Sequence, residues 1–120
     1  MPKKILIIDD EPELVKAIQV RLETAGYKVI SAFDGEEGIN QAEKEKPDLI
    51  ILDVIMPKMD GFTTLKELEK KFHRNTLPPV IVLTGKDKME DLFAIEGITD
   101  YIVKPFEGKA LLDKIAKVLD

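Results

Sequence analysis

Two short apolar runs in this chain end in acid, one ends in a hydroxyl and one in an ammonium. Ile5-Leu6-Ile7-Ile8 leads into Asp9-Asp10, and Leu49-Ile50-Ile51-Leu52 into Asp53. Val80-Ile81-Val82-Leu83 leads into Thr84, and Tyr101-Ile102-Val103 into Lys104-Pro105. If the runs are neighbouring parallel strands, their C-terminal ends converge on one edge of a sheet. Three carboxylates, a hydroxyl and an ammonium then share a pocket. Carboxylates packed together cannot all stay ionised without a counter-charge. Lys104 and a bound divalent cation would supply it.

Those runs need elements to hold them, and the chain alternates strand and helix with short connections. Strands are expected at 4–8, 28–32, 49–52, 80–83 and 100–103. Helices are expected at 11–25, 35–45, 62–73, 88–96 and 107–119. Pro12 suits a first helical turn, with Leu14, Ile18 and Leu22 as the apolar stripe behind it. Gly26 reads as a left-handed stop, Pro47 ends the second helix and Gly97 the fourth. Phe62, Leu65, Leu68 and Phe72 line one side of the third helix. Leu111, Leu112, Ile115, Ala116 and Leu119 turn inward on the last. The runs at 5–8, 49–52 and 80–83 are continuous rather than alternating, as parallel strands covered on both faces require. Five such units with right-handed crossovers make an α/β fold, a three-layer doubly wound sandwich with five parallel strands and five helices. Its ligand crevice lies at the carboxyl ends of the strands, where the acids sit.

Composition narrows the function classes. The 120 residues, 44 % hydrophobic and 34 % charged, make one domain at 1–120 with a core of its own. Against 18 Lys and Arg stand 23 Asp and Glu, a net charge of −5, which argues against direct nucleic-acid binding. Cysteine is absent, so disulfides, thiol catalysis and thiolate metal sites are excluded. No stretch reads as a signal peptide or a membrane span, and the cytoplasm is the expected compartment.

Asp9-Asp10, Asp53 with Met56-Pro57 and Asp60-Gly61, Thr84-Gly85, and Tyr101 with Lys104-Pro105-Phe106 together resemble the receiver domain of two-component response regulators. The single-domain chemotaxis-type members look most similar, and the resemblance covers the whole chain. It implies the flavodoxin-like strand order 2-1-3-4-5. It implies that Asp53 is the phosphoacceptor, taking a phosphoryl group from a phosphohistidine on a histidine kinase or phosphotransfer protein. Asp10 and Asp53 would bind Mg2+ directly with the backbone carbonyl of Ile55, and Asp9 through water. Lys104 would pair with the phosphoryl group, and Thr84 would donate its hydroxyl to it, beside backbone N–H groups near Val54 and Gly85. Tyr101 would change rotamer as Thr84 moves, so that Thr84 and Tyr101 form the switch. Lys104-Pro105 matches the family's cis peptide bond. The physics agrees: phosphoryl transfer needs in-line positioning and neutralised oxygens, and an Asp53 ionised at neutral pH needs no general base.

The expected function is therefore a stand-alone response regulator, a phosphorylation-driven switch and not a turnover enzyme. Its output would be protein contact through the face built by 88–96, 100–103 and 107–119. Other readings stand beside this one. Asp9-Asp10 could cap the first helix, Thr84 could be an ordinary strand-end residue and Lys104 a surface lysine. The chain could be a receiver-like interaction module that is never phosphorylated, or a receiver domain cut from a longer regulator. A flavodoxin-like binder would need a hydroxyl- and glycine-rich loop where Asp9-Asp10-Glu11-Pro12 stands. An aspartyl phosphatase would carry an acid at Ile55. His73 reads as a surface residue, and Glu43-Lys44-Glu45-Lys46 as a solvated helix end. The Thr84-to-Lys104 interval is short for the family, and Gly97-Ile98-Thr99-Asp100 replaces its usual small residues. Ile55 and Lys86 are expected at the mouth of the site, where attacking water passes.

Overall fold

A computed structural model describes residues 2–73, 76–85 and 100–120. Along the chain run β1 (Lys4–Ile8), α1 (Pro12–Thr24), β2 (Lys28–Ala32), α2 (Gly35–Glu45), β3 (Leu49–Asp53), α3 (Gly61–Lys71), β4 (Val80–Thr84), β5 (Tyr101–Val103) and α4 (Gly108–Leu119). All strand pairs are parallel, in the order β2-β1-β3-β4-β5. The expected helix at 88–96 and its stop at Gly97 lie outside the described residues. The other elements fall within two residues of their expected bounds.

Each strand divides its side chains between two cores, because successive residues point to opposite faces. Leu6, Ile8, Ile50, Leu52, Val80 and Val82 pack with Ile39 and Ala42 of α2 and Leu65 and Leu68 of α3. Ile5, Ile7, Leu49, Ile51, Ile81 and Leu83 pack with Val15, Ile18 and Leu22 of α1 and Leu111 and Ile115 of α4. The central strands β1, β3 and β4 are thus buried on both sides. That arrangement accounts for their unbroken apolar runs. Two inward assignments shift. In α1 the fully buried stripe is Val15, Ile18 and Leu22, with Leu14 half-buried at its margin. In α4 Ala116 faces solvent and Val118 packs against the core instead.

The connections that aim the strand ends are locally encoded. Gly26 turns with φ +99° after α1, and Lys46 adopts a left-handed φ of 48° after α2. Asp34 caps α2 by accepting from the Glu37 N–H at 2.8 Å. Asp60 caps α3 by accepting from the Thr63 N–H at 2.7 Å. The last residues of β3 and β4 are Asp53 and Thr84 themselves, one residue further than the apolar runs suggest. No helix among the described residues is long and apolar enough to cross a membrane.

Candidate functional site

The carboxyl ends of β1, β3 and β5 bring Asp9, Asp53 and Lys104 together. Asp9 follows β1 directly and is fully buried, its N–H donating to the Ala32 carbonyl at 3.1 Å. Its Oδ1 accepts from the Glu11 N–H at 3.0 Å, which turns the chain toward α1. Asp53, 5 % exposed, ends β3. Gly61 holds that end from above. Its N–H donates to the Val54 carbonyl at 2.7 Å, and a Cβ there would collide with the Asp53 carbonyl oxygen. The chain must come this close for α3 to seal β3, so the position requires glycine.

Lys104 arrives from the far side of β4. Its N–H donates to the Thr84 carbonyl at 2.7 Å, continuing the ladder past Val103, and the Lys104-Pro105 peptide is cis. From there the side chain spans to β1 and β3. Nζ lies 3.1 Å from Asp53 Oδ1, 3.2 Å from Asp9 Oδ2 and 3.2 Å from Glu11 Oε1. Asp10, Glu11, Asp53, Ile55, Gly85 and Lys104 line a cavity of about 280 Å³ beside this cluster.

The charges do not balance, and burial makes the acids harder to ionise. Burial, then the neighbouring Asp9, push the Asp53 carboxyl up from 3.8 to about 7, against the pull of Lys104. Asp9 is also raised, chiefly by burial, although the Glu11 N–H and Lys104 oppose this. Burial alone would lower Lys104, but Asp53 and Asp9 outweigh it and hold the ammonium above its ordinary range. Without a cation, burial and the neighbouring Asp9 disfavour the ionised carboxyl.

The donor set fits a hard divalent cation. Asp9, Asp10, Glu11 and Asp53 each offer a carboxylate oxygen, and these atoms all lie within 4.8 Å of one another. Opposite oxygens of an octahedral Mg2+ shell are about 4 Å apart, so small rotations close the set. A cation here would offset the desolvation that raises Asp53.

A family model described as "Response regulator receiver domain" matches residues 5–116. The chain belongs to the response regulator receiver domains. It is 43 % identical over 121 residues to the alkaline phosphatase synthesis transcriptional regulatory protein PhoP of Bacillus subtilis (strain 168), covering 99 % of this chain and 49 % of that protein. It is 43 % identical over 119 residues to the probable transcriptional regulator ycf27 of Porphyridium aerugineum, covering 98 % of this chain and 48 % of that protein. The chain thus spans about half the length of these curated relatives. Among solved structures, chemotaxis protein CheY4 of Vibrio cholerae superposes with a TM-score of 0.88 at 32 % identity, over 99 % of this chain and 100 % of that one. A CheY-like receiver domain protein from Methanospirillum hungatei JF-1 gives 0.89 at 33 % identity, over 100 % and 95 %.

Within this receiver domain, the residues singled out from sequence divide into two groups. Asp9, Asp10, Asp53 and Lys104 converge, with Ile55 on the cavity wall, 66 % exposed. Thr84 is fully buried, and it is the next residue, Gly85, that lines the cavity. Tyr101 is half-buried against the core that α2 and α3 cover. Val82 pairs with Tyr101 and Thr84 with Val103, so Thr84 and Tyr101 share one face of the sheet. The Val54 N–H donates to the Leu83 carbonyl at 3.2 Å, so this amide serves the sheet and not the cavity. His73 is exposed, as expected. Lys86 lies outside the described residues. Sequence reasoning missed Glu11 as a site residue. Its signal was third place in the acidic run Asp9-Asp10-Glu11, which reads as the start of a helix.

Proposed function

We infer that this receiver domain accepts a phosphoryl group on Asp53 and uses it to switch a protein-binding surface. The observation that carries this is Asp53 itself. It is a buried carboxylate at the end of β3, ion-paired to Lys104 at 3.1 Å and ringed by acids suited to a cation. Mg2+ would be held by Asp10, Asp53 and the Ile55 carbonyl, with Asp9 through water, and would supply positive charge to the phosphoryl oxygens and to Asp53. An Asp53 oxygen attacks the phosphorus of a partner's phosphohistidine. The new O–P bond forms as the N–P bond breaks, and its electron pair leaves on the imidazole nitrogen. Lys104 meets the charge on the transferring oxygens, and no proton is needed from the chain. The Thr84 hydroxyl then takes a phosphoryl oxygen, and Tyr101, on the same face of the sheet, follows it.

The reaction makes the domain a signalling module and not a turnover enzyme. The donor is a sensor histidine kinase or a histidine phosphotransfer protein. The output face includes β5 and α4. The same chemistry serves a stand-alone regulator or one joined to a further domain. Moving such a switch from nearly all inactive to nearly all active takes roughly 5.5 kcal/mol of differential stabilisation. A few charge-assisted hydrogen bonds at about 1.5–3 kcal/mol each supply it.

The test is intact mass after incubation with Mg2+ and a small-molecule phosphodonor. One added phosphoryl group is expected, lost with chelator and absent in Asp53→Asn. No adduct, together with no binding of beryllofluoride, would leave a fold used only for contacts.

A further inference from the structure

The Lys104 ammonium is ion-paired to three carboxylates: Asp53 at 3.1 Å, Asp9 at 3.2 Å and Glu11 at 3.2 Å, and donates to the last two. Two of these carboxylates are buried at the strand ends. The third is not: the Glu11 side chain is 61 % exposed. Glu11 stands just before α1, yet its side chain makes no capping hydrogen bond there. Its N–H holds Asp9 Oδ1 at 3.0 Å, and its carboxylate reaches outward to Lys104. Glu11 and Lys104 together line both the acidic cavity and a neighbouring one of about 330 Å³ that also has Leu14, Pro105 and Phe106 in its wall. The pair therefore stands at the mouth of the site, in the way of an arriving group.

A phosphoryl group is an anion that requires this ammonium. Asp53 forms the bond to it, and Asp9 is fully buried beneath it. Among the described residues, Glu11 alone holds Lys104 from an exposed position, with a charge of the same sign as the donor. We propose that Glu11 competes with the phosphodonor for Lys104 and so sets the concentration at which an anionic donor saturates the site. Glu11 is a positioning residue, acting through Lys104 and through its own charge at the mouth. The inference rests on the phosphoacceptor reading and deepens it by naming what controls donor entry. A unit charge a few ångströms from the incoming anion, screened by solvent, changes its affinity about three- to tenfold.

The experiment follows phosphoryl uptake by intact mass against acetyl phosphate concentration at saturating Mg2+, for the wild type, Glu11→Gln and Glu11→Ala. Both variants are expected to lower the half-saturating donor concentration about three- to tenfold, with a smaller change in maximal rate. Their advantage is expected to vanish near 1 M salt, where the screening length falls to about 3 Å. An effect of Glu11 that does not depend on its charge would not respond to salt. A second reading needs no phosphoryl transfer. In cation-free denaturation, Glu11→Gln and Lys104→Met are expected to be non-additive, as contacting partners are. Unchanged half-saturation, a change that high salt leaves intact, or additive denaturation overturns the role of Glu11. A wild type that takes no phosphoryl group at all overturns the phosphoacceptor reading, and the competition with it. Normal wild-type uptake with indifferent variants overturns the competition alone.

Discussion

At the scale of single residues, the site is set by a shortage of positive charge. Asp53 has an unfolded value near 3.8 and a folded one of about 7, so between them the folded state binds more protons than the unfolded chain. The stability this contributes is fully present below about pH 4 and is lost as pH rises through 7. Asp9 is raised as well and acts in the same direction. Denaturant melts of the chelator-treated protein should therefore show stability falling from pH 5 to pH 8, by an amount on the order of a few kcal/mol. Asp53→Asn should flatten that slope, and a slope unchanged by the substitution would remove Asp53 as its cause. Ile55 is the other residue whose setting invites a change. It is 66 % exposed on the cavity wall, where a polar side chain could hold an attacking water. Ile55→Asn should shorten the lifetime of the phosphorylated form several-fold, measured by loss of the mass adduct. An unchanged lifetime would exclude Ile55 from that control.

At the scale of elements, the position of Asp53 depends on how α3 meets β3. The Gly61 N–H bonds the Val54 carbonyl, and the space a Cβ would need is occupied by the Asp53–Val54 backbone. Backbone cannot swing aside as a flexible side chain does, so α3 must lift or β3 must bend. Gly61→Ala should cost about 1–3 kcal/mol in thermal or denaturant unfolding, the usual range for forced overpacking. It should slow phosphoryl uptake as well, because the acceptor oxygen moves. Full stability with normal uptake would show that the contact is slack. The Asp60 cap beside it is worth about 1 kcal/mol, and its loss leaves Asp53 in place. Stability and uptake should therefore separate between Asp60→Ala and Gly61→Ala.

At the scale of the molecule, folding and cation binding are linked. A ligand that binds only the folded state stabilises it by about 2.7 kcal/mol at a hundred times its dissociation constant. The acids that would receive Mg2+ lie just after β1 and at the end of β3, brought together only when the sheet forms. Mg2+ should thus raise the unfolding midpoint, and more at pH 8 than at pH 5, because protons compete for the same oxygens. A midpoint that ignores Mg2+ at pH 8 would show that the acidic set does not hold the ion. Two cores on opposite faces of one sheet make this coupling possible, since the strand ends are clamped from both sides.

The sequence by itself determined the elements and where the chemistry gathers. Unbroken apolar runs on β1, β3 and β4 demand cover on both faces, and parallel strands put their C-terminal residues on one edge. Asp9, Asp53, Thr84 and Lys104 were legible for that reason. Gly26 and Pro12 were legible because their backbone preferences are local. The tertiary structure decided what depends on distance and burial. Val15 replaced Leu14 in the core because the rotation of α1 against the sheet is a packing outcome. Thr84 is buried while Gly85 lines the cavity, which hangs on how far β4 extends. The raised carboxyl of Asp53 arises from desolvation and from Asp9, a residue 44 positions away in the chain. The reach of Lys104 to Glu11 spans 93 positions. Periodicity carries no trace of such pairings, because they exist only once the strands are side by side.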